Sequence, residues 1–365
     1  MKILIAAGGT GGHLFPGIAL AEAFKEKDEG TAVLFVGTGR DLDKRTMIPA
    51  GCDFEAIDAA GVKGKNPLRV LAALLHIGKG IMQALLIIRR FAPQLVLGMG
   101  GYVSAPVLAA AYLLRVKRAI HEQNVLPGLT NRSLGRIADR IFTSFQESEC
   151  YFPPGKAVLA GNPLRKQHLQ GAPLPSPARP FTVLISGGSL GSHQINCALI
   201  DALQDLLPVR DELLLIHQTG AADLEAVRGA YRERGFTAEA VPFIDQMAGA
   251  YRRAHLIVCR AGATTLAELM VHGKASILIP YPWAADNHQH HNAMFLVSRG
   301  AANIIDPGEL SGRTLAARIL QLYRNPDDLS AMGANAGRLG RPGAARDIVE
   351  YCYTMLNPEM SCIRA

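Results

Sequence analysis

Gly8-Gly9-Thr10-Gly11-Gly12-His13 lies between the apolar run Lys2-Ile3-Leu4-Ile5-Ala6 and a helix-like segment over residues 14–24. The order predicts a strand, a tight glycine turn and a helix, with Leu14, Ile18, Ala21 and Phe24 on one apolar face. Glycines let a backbone approach an oxygen-rich ligand, and the first turn of a helix offers unpaired N–H groups with partial positive charge. Together these favour an anion such as a phosphate. The dinucleotide fingerprint Gly-x-Gly-x-x-Gly fails because Leu14 holds its last glycine position, and no Gly-Lys-Ser/Thr follows as a P-loop needs. A plain connecting turn is the alternative, but four glycines in five positions beside a histidine exceed what a turn requires.

The opening pattern returns about one domain length further on. Phe181-Thr182-Val183-Leu184-Ile185-Ser186 leads into Gly187-Gly188-Ser189-Leu190-Gly191-Ser192 and then a helical stretch to Leu203. The connection between the halves holds Pro173, Pro175, Pro177 and Pro180. A chain of 365 residues exceeds one ordinary hydrophobic core. The expectation is therefore α/β, with two Rossmann-like domains of parallel sheet facing each other across a cleft. The first spans residues 1–164 and the second 165–342, and Ala345, Ile348, Cys352 and Leu356 mark a last helix, 343–357, that packs back on the first.

Between the two glycine turns, apolar runs at 32–36, 94–97, 105–114 and 118–120 alternate with helix-like stretches, chiefly 68–90, the rhythm of a parallel sheet covered by helices on both faces. Ligands of such sheets bind at the carboxyl ends of the strands. Gly98-Met99-Gly100-Gly101-Tyr102-Val103-Ser104 and His121-Glu122-Gln123-Asn124 fall at two of those ends. In the second half, strands are expected at 212–216, 256–259 and 276–280.

Hydrophobic residues at 49% and charged residues at 19% describe a core-rich chain. Six scattered cysteines without a C-x-x-C pair point to a reducing compartment rather than a disulfide framework or zinc site. No signal peptide or apolar span of membrane length is legible, so the chain reads as cytoplasmic. The net charge is +7, and residues 59–121 contain no Asp or Glu. Lys63, Lys65, Arg69 and Lys79 accompany an apolar stretch that includes Leu74 and Leu75. This is either a basic, apolar face for anionic lipid headgroups or a buried helix with solvated ends. Nucleic acid is disfavoured, because the cations lack interleaved aromatics.

Gly262-Ala263-Thr264-Thr265-Leu266-Ala267-Glu268 resembles a helix start that meets a diphosphate, with Glu268 either accepting from ribose hydroxyls or lying on a solvated face. Asp286, Asn287 and Gln289 suit sugar hydroxyls, whereas His288 and His291, one turn apart, suggest a metal only weakly, since cysteine ligands are absent. His13 is the titratable side chain of the first loop, able to take a proton near pH 7 or merely to bond the turn. Glu122 is a second base candidate, with a structural hydrogen bond as its alternative role.

The ordered motifs GGTGGHLFP from Gly8, GMGGYVS from Gly98, HEQN from His121, GNPLR from Gly161, GGSLG from Gly187 and AGATTLAE from Ala261 closely resemble the MurG family of N-acetylglucosaminyltransferases, within glycosyltransferase family 28. The resemblance implies a GT-B fold and inverting transfer of N-acetylglucosamine from UDP-N-acetylglucosamine to the C4 hydroxyl of the N-acetylmuramoyl unit of lipid I. It places donor contacts on Thr10, Gly11, Gly12, Asn124, Arg165, Ser189, Ile244, Ala263, Thr264, Thr265, Leu266, Ala267, Glu268 and Gln289. The acceptor diphosphate falls to Gly9, Gly100, Gly101 and Tyr102, and the base to His13 or Glu122. No cofactor is required, although added divalent cations would assist UDP departure. Expected partners are lipid I, an anionic surface on the cytoplasmic face of the cell membrane, held peripherally, and other cell-wall synthesis proteins. The rivals are a UDP-N-acetylglucosamine 2-epimerase and a non-catalytic nucleotide-sugar-binding scaffold.

Overall fold

The computed structural model describes residues 1–9, 11–39, 52–59, 67–169 and 180–357, with 67–75 described by their backbone alone. Thr10, Lys63, Lys65 and most of the proline-rich connection lie outside the described residues, as do the side chains of Arg69, Leu74 and Leu75. The chain forms two compact units, residues 1–165 together with the chain from Pro342, and residues 166–341. Arg165 and Pro342, which the sequence reading put in the second domain, belong to the first unit.

In the first unit, β1 (Lys2–Ala6), β2 (Ala32–Gly37), β3 (Asp53–Ala56), β4 (Leu95–Gly98), β5 (Lys117–Glu122), β6 (Arg140–Thr143) and β7 (Ala157–Leu159) form one sheet. Its order is β3-β2-β1-β4-β5-β6-β7, with every neighbouring pair parallel. The strand order reverses between β1 and β4, where Ala6 pairs with Gly98. In such sheets that is where a ligand crevice opens. Alternate residues of β1 feed two cores: Ile3 and Ile5 pack on one face, Leu4 and Ala6 on the other. This explains why the strand reads as a continuous apolar run.

Helix α1 (Gly11–Lys27) buries Leu14, Ile18, Ala21 and Phe24 as the spacing predicts. Gly17 lets it lie close on the sheet, since a Cβ there would sit 3.2 Å from the Phe35 ring and 3.5 Å from Ile5 Cγ2. The close helix–strand approach that the missing third glycine of the dinucleotide fingerprint would serve is thus supplied three residues later. Helices α2 (Pro67–Phe91) and α3 (Gly101–Leu113) pack on one another over the other face, and α4 (Leu129–Leu134) follows β5.

The second unit opens with α5 (Lys166–Leu169) and contains β8 (Phe181–Ser186), α6 (His193–Leu206), β9 (Leu213–Gln218), α7 (Leu224–Arg234), β10 (Thr237–Val241), α8 (Met247–Arg253), β11 (Leu256–Cys259), α9 (Ala263–His272), β12 (Ala275–Leu278), α10 (His288–Val297), β13 (Asn303–Ile304), α11 (Gly312–Arg324) and α12 (Pro326–Leu339). Its sheet runs β10-β9-β8-β11-β12-β13, again parallel throughout and reversing beside the first strand. Helix α13 (Ala344–Leu356) then packs on α1: Ile348 and Cys352 are buried with Ile3 and Phe24, and Lys27 pairs with Glu350 beneath a cation–π contact to Tyr353.

Candidate active site

Three loops of the first unit meet at the carboxyl ends of β1, β4 and β5. The imidazole of His13, on the first turn of α1, lies against Gly100 and Gly101. A Cβ at Gly100 would stand 3.2 Å from His13 Nε2, and one at Gly101 3.3 Å from Nδ1. Both glycines have left-handed φ, +93° and +74°, so the turn and the ring's place beside it depend on the absence of side chains. Ser104 closes the turn, accepting from the Gly100 N–H at 3.0 Å and donating to the Gly100 carbonyl at 2.8 Å.

The HEQN segment is buried and holds the other loops in register. Gln123 Nε2 donates to the Met99 carbonyl at 2.9 Å and to His121 Nδ1 at 3.0 Å. His121 Nε2–H in turn donates to the Gly161 carbonyl at 2.9 Å, tying in the GNPLR stretch. Burial drives the His121 pKa down to about 4, so the ring is neutral and its tautomer is set by these two partners.

Glu122 is 1% exposed, and both its oxygens are engaged. Oε1 accepts from the Asn124 N–H at 2.8 Å and Asn124 Nδ2 at 3.2 Å, and Oε2 from the Gly128 N–H at 3.2 Å and Asn131 Nδ2 at 2.9 Å. Burial raises its pKa, and these four donors act against that rise. A carboxylate so enclosed shapes the 124–131 turn, the structural role that the sequence left as its alternative. Asn131 is a residue of this cluster that the sequence reading missed, and Ser104 and Gln123 stood in the quoted motifs without a role of their own. Tyr102 is exposed on the first turn of α3, and the Arg165 guanidinium lies 4.5 Å over the Phe15 ring.

In the second unit the glycine loop after β8 has left-handed Gly188 and Gly191, and a Cβ at Gly191 would stand 2.0 Å from the Thr219 carbonyl oxygen. The buried Gln218 joins this loop to the segment after β10: Nε2 donates to the Gly188 carbonyl at 2.7 Å, and Oε1 accepts from the Ile244 N–H at 2.9 Å. Ser189, on the exposed loop, and Ile244 are thereby brought together. Arg260, just past β11, is buried without a carboxylate partner among the described residues. Its guanidinium donates to Ser192 Oγ at 2.7 Å, Gln194 Oε1 at 3.0 Å and the Pro280 carbonyl at 3.0 Å. Burial lowers its pKa. This cation at the strand-order reversal was not singled out in the sequence, because a lone arginine carries no motif.

At the start of α9, Thr264 and Thr265 are half-buried, whereas Leu266 and Ala267 are core residues. The Leu266 N–H already bonds the Gly262 carbonyl at 2.9 Å, so only the N–H groups before it point out of the helix. The side chains of Leu266 and Ala267 pack beneath the turn. Glu268 Oε2 accepts from the Tyr251 hydroxyl at 3.0 Å. Gln289 Oε1 accepts from the Tyr281 N–H at 2.9 Å, while Asp286 and Asn287 both adopt left-handed φ, near +50°. Among the described residues, no three His, Cys, Asp or Glu side chains gather in a metal-binding group. His288 instead bonds the Ala285 carbonyl and His290 faces Asp306.

The acid-free run of the first unit is not acid-free in space. Lys79 Nζ and His76 Nδ1 each lie 2.9 Å from Asp58, whose carboxyl they hold below its usual range, and Arg90 pairs with Glu55. Among the described residues of the packed pair α2 and α3, Met82, Leu86, Tyr112 and Leu113 are apolar side chains more than half exposed. Arg118 stacks on Tyr112 at 4.9 Å, beside Arg115 and Lys117. No described helix is long and apolar enough to cross a membrane.

Two parallel-sheet units, each with a glycine turn at its strand-order reversal, make up the GT-B fold, seen in sugar-transferring enzymes among others. Residues 3–143 match the glycosyltransferase family 28 N-terminal domain and residues 182–348 its C-terminal domain. The UDP-N-acetylglucosamine--N-acetylmuramyl-(pentapeptide) pyrophosphoryl-undecaprenol N-acetylglucosamine transferase of Geobacter sulfurreducens is 50% identical over 354 residues, covering 96% of this chain and 97% of that one. The enzyme of the same name from Myxococcus xanthus is 46% identical over 98% of this chain and 93% of its own. Among solved structures, MurG of Acinetobacter baumannii superposes with a TM-score of 0.78 at 31% identity, covering 97% of this chain and all of that one. A UDP-GlcNAc 2-epimerase from Neisseria meningitidis shares the fold, with a TM-score of 0.68 at 13% identity over 97% of this chain and 100% of its own. The chain belongs to glycosyltransferase family 28.

Proposed function

We propose that the chain moves N-acetylglucosamine from UDP-N-acetylglucosamine to the C4 hydroxyl of the N-acetylmuramoyl unit of lipid I, giving lipid II and UDP with inversion at the anomeric carbon. What supports this beyond family membership is the convergence of His13 on the Gly100–Gly101 turn, a histidine set where two glycine loops and a helix start favour a diphosphate. His13 takes the proton of the acceptor hydroxyl as O4 attacks the anomeric carbon. The bond from that carbon to the UDP oxygen breaks, and the pair of electrons leaves with the diphosphate.

Gly9, Gly100, Gly101 and Tyr102 hold the acceptor diphosphate in this scheme, and Gly11 and Gly12 extend the same anion-binding turn. In the second unit the N–H groups of residues 263–265, the loop carrying Ser189 and the buried charge of Arg260 meet the departing diphosphate. Glu268 accepts from the ribose, Gln289 with Asp286 and Asn287 from the sugar, and Ile244 through its carbonyl, its N–H being bound to Gln218. Thr10, Asn124 and Arg165 complete the donor contacts. Binding to an anionic membrane surface runs through Met82, Leu86, Tyr112 and Leu113 with the cations near them, at the cytoplasmic face.

Replacing His13 by Ala tests the central step. General-base catalysis contributes about 10²–10⁴-fold, so kcat falls by at least about 10²-fold while the dissociation constant of UDP-N-acetylglucosamine stays within about 3-fold. Turnover near that of the unaltered chain would remove His13 from the role.

A further inference from the structure

Behind Glu268 lies a buried group of rings that the transfer chemistry does not use. Tyr251 donates to Glu268 Oε2, and His168 Nε2 lies 3.3 Å from Oε1. His168 Nδ1 is 3.2 Å from His272 Nε2, and the His272 ring stacks on Tyr251 with centroids 5.2 Å apart. The His168 ring also meets Tyr251 edge-on at 6.0 Å. Its side chain is 1% exposed, and its helix α5 packs on α9, which carries Glu268 and His272. Gln167 Nε2, itself a donor, lies 3.4 Å from the same Nε2 and makes no hydrogen bond to it once that N–H points at Glu268.

An ionised carboxylate can only accept, so His168 presents Nε2–H to Glu268 whatever the state of its other nitrogen. Burial, helped by Lys274 and Arg252, pulls the His272 pKa down to about 4, and this neutral ring supplies the partner for Nδ1. A donor on each oxygen, each from a buried ring, fixes the rotation of the carboxyl group. The Glu268 side chain remains 13% exposed, so its outer edge is what a ligand meets.

We propose that His168, backed by His272, is a positioning residue that aims the Glu268 carboxylate at the vicinal diol of the donor's ribose. The proposal rests on the assignment of Glu268 to that ribose made above. With both oxygens aimed, two hydroxyls are held at once; without His168 the carboxyl group turns about its last bond and holds one well at most.

Calorimetric titration of the full chain with UDP and with 2′-deoxy-UDP separates this from a structural role. His168→Leu weakens UDP by about 10-fold, the scale of one hydrogen bond to a charged group, and leaves 2′-deoxy-UDP within about 2-fold. His168→Gln, whose amide N–H can reach the same oxygen, restores UDP binding to within about 3-fold of the unaltered chain. Equal weakening of both ligands, or no weakening of UDP, overturns the proposal. Should His168→Leu fail to fold, His272→Phe keeps a ring on Tyr251 while removing the contact to His168. It must weaken UDP more than 2′-deoxy-UDP, and no such contrast overturns the proposal equally. An unaltered chain that binds both ligands alike would instead overturn the ribose assignment of Glu268 itself.

Discussion

At the scale of single residues, His121 and Glu122 show how neighbours in sequence are put to different uses by burial. His121 is held neutral, with a pKa of about 4 against an ordinary 6.5, because desolvation opposes its charged form. The unfolded chain therefore binds a proton between those values that the folded chain refuses. Stability is full above pH 6.5 and declines as pH falls toward 4, by roughly 3 kcal/mol from this residue. His217, buried between Tyr231 and Asn196 and driven to about 3, acts in the same direction. Urea midpoints measured from pH 7 to 4 should fall steeply for the unaltered chain and less steeply for His121→Gln; parallel curves would contradict the assignment. His13 was legible because it is the titratable side chain of its loop. The enclosure of Glu122 was not, since Asn131, which holds Oε2, stands nine residues further along the chain. Nor could spacing show that Leu266 and Ala267 face the core while their neighbours face out.

At the scale of elements, most interior strands were readable, β6 being the one passed over, and the sheet edges were not. β1, β8 and β11 are buried on both faces and appear as apolar runs, β11 over 256–259 as expected. β3, β7, β10 and β13 lie at sheet edges, where polar residues such as Asp53, Glu55 and Glu239 are tolerated, and the apolar signal dissolves. Close helix packing was equally hidden. α11 lies on α6 with Gly312 at the contact, where a Cβ would stand 2.5 Å from Asp201 Cβ and 2.6 Å from the Asp201 carbonyl carbon. Backbone cannot yield as a flexible side chain can, so Gly312→Ala should destabilise the second unit by about 1–3 kcal/mol. Thermal unfolding with a midpoint unchanged to within a degree or so would show that the helices part without cost.

At the scale of the whole molecule, the repeated strand, glycine turn and helix announced two units of like winding, and both sheets reverse order beside their first strand. The basic, apolar surface was legible only in part. Its charge was overstated, because Asp58 and Glu55 return in space to Lys79 and Arg90, and its exposed apolar residues on α3 come from a segment read as part of the sheet pattern. Cosedimentation with vesicles of anionic phospholipid measures what remains. A chain with Met82, Leu86 and Leu113 changed to Ser should leave the pellet, while neutral vesicles should bind the unaltered chain poorly; unchanged pelleting of the triple variant would assign the membrane contact elsewhere.

Glycosyl transfer itself is tested most directly by UDP release from UDP-N-acetylglucosamine with and without a solubilised lipid I analogue, the acceptor being weighed by mass spectrometry. The structure and its family predict release that depends on the acceptor, with the acceptor gaining one N-acetylhexosamine. Donor binding without acceptor-dependent release, or release with no gain in acceptor mass, would contradict the transfer and leave a site that binds a nucleotide sugar without passing it on.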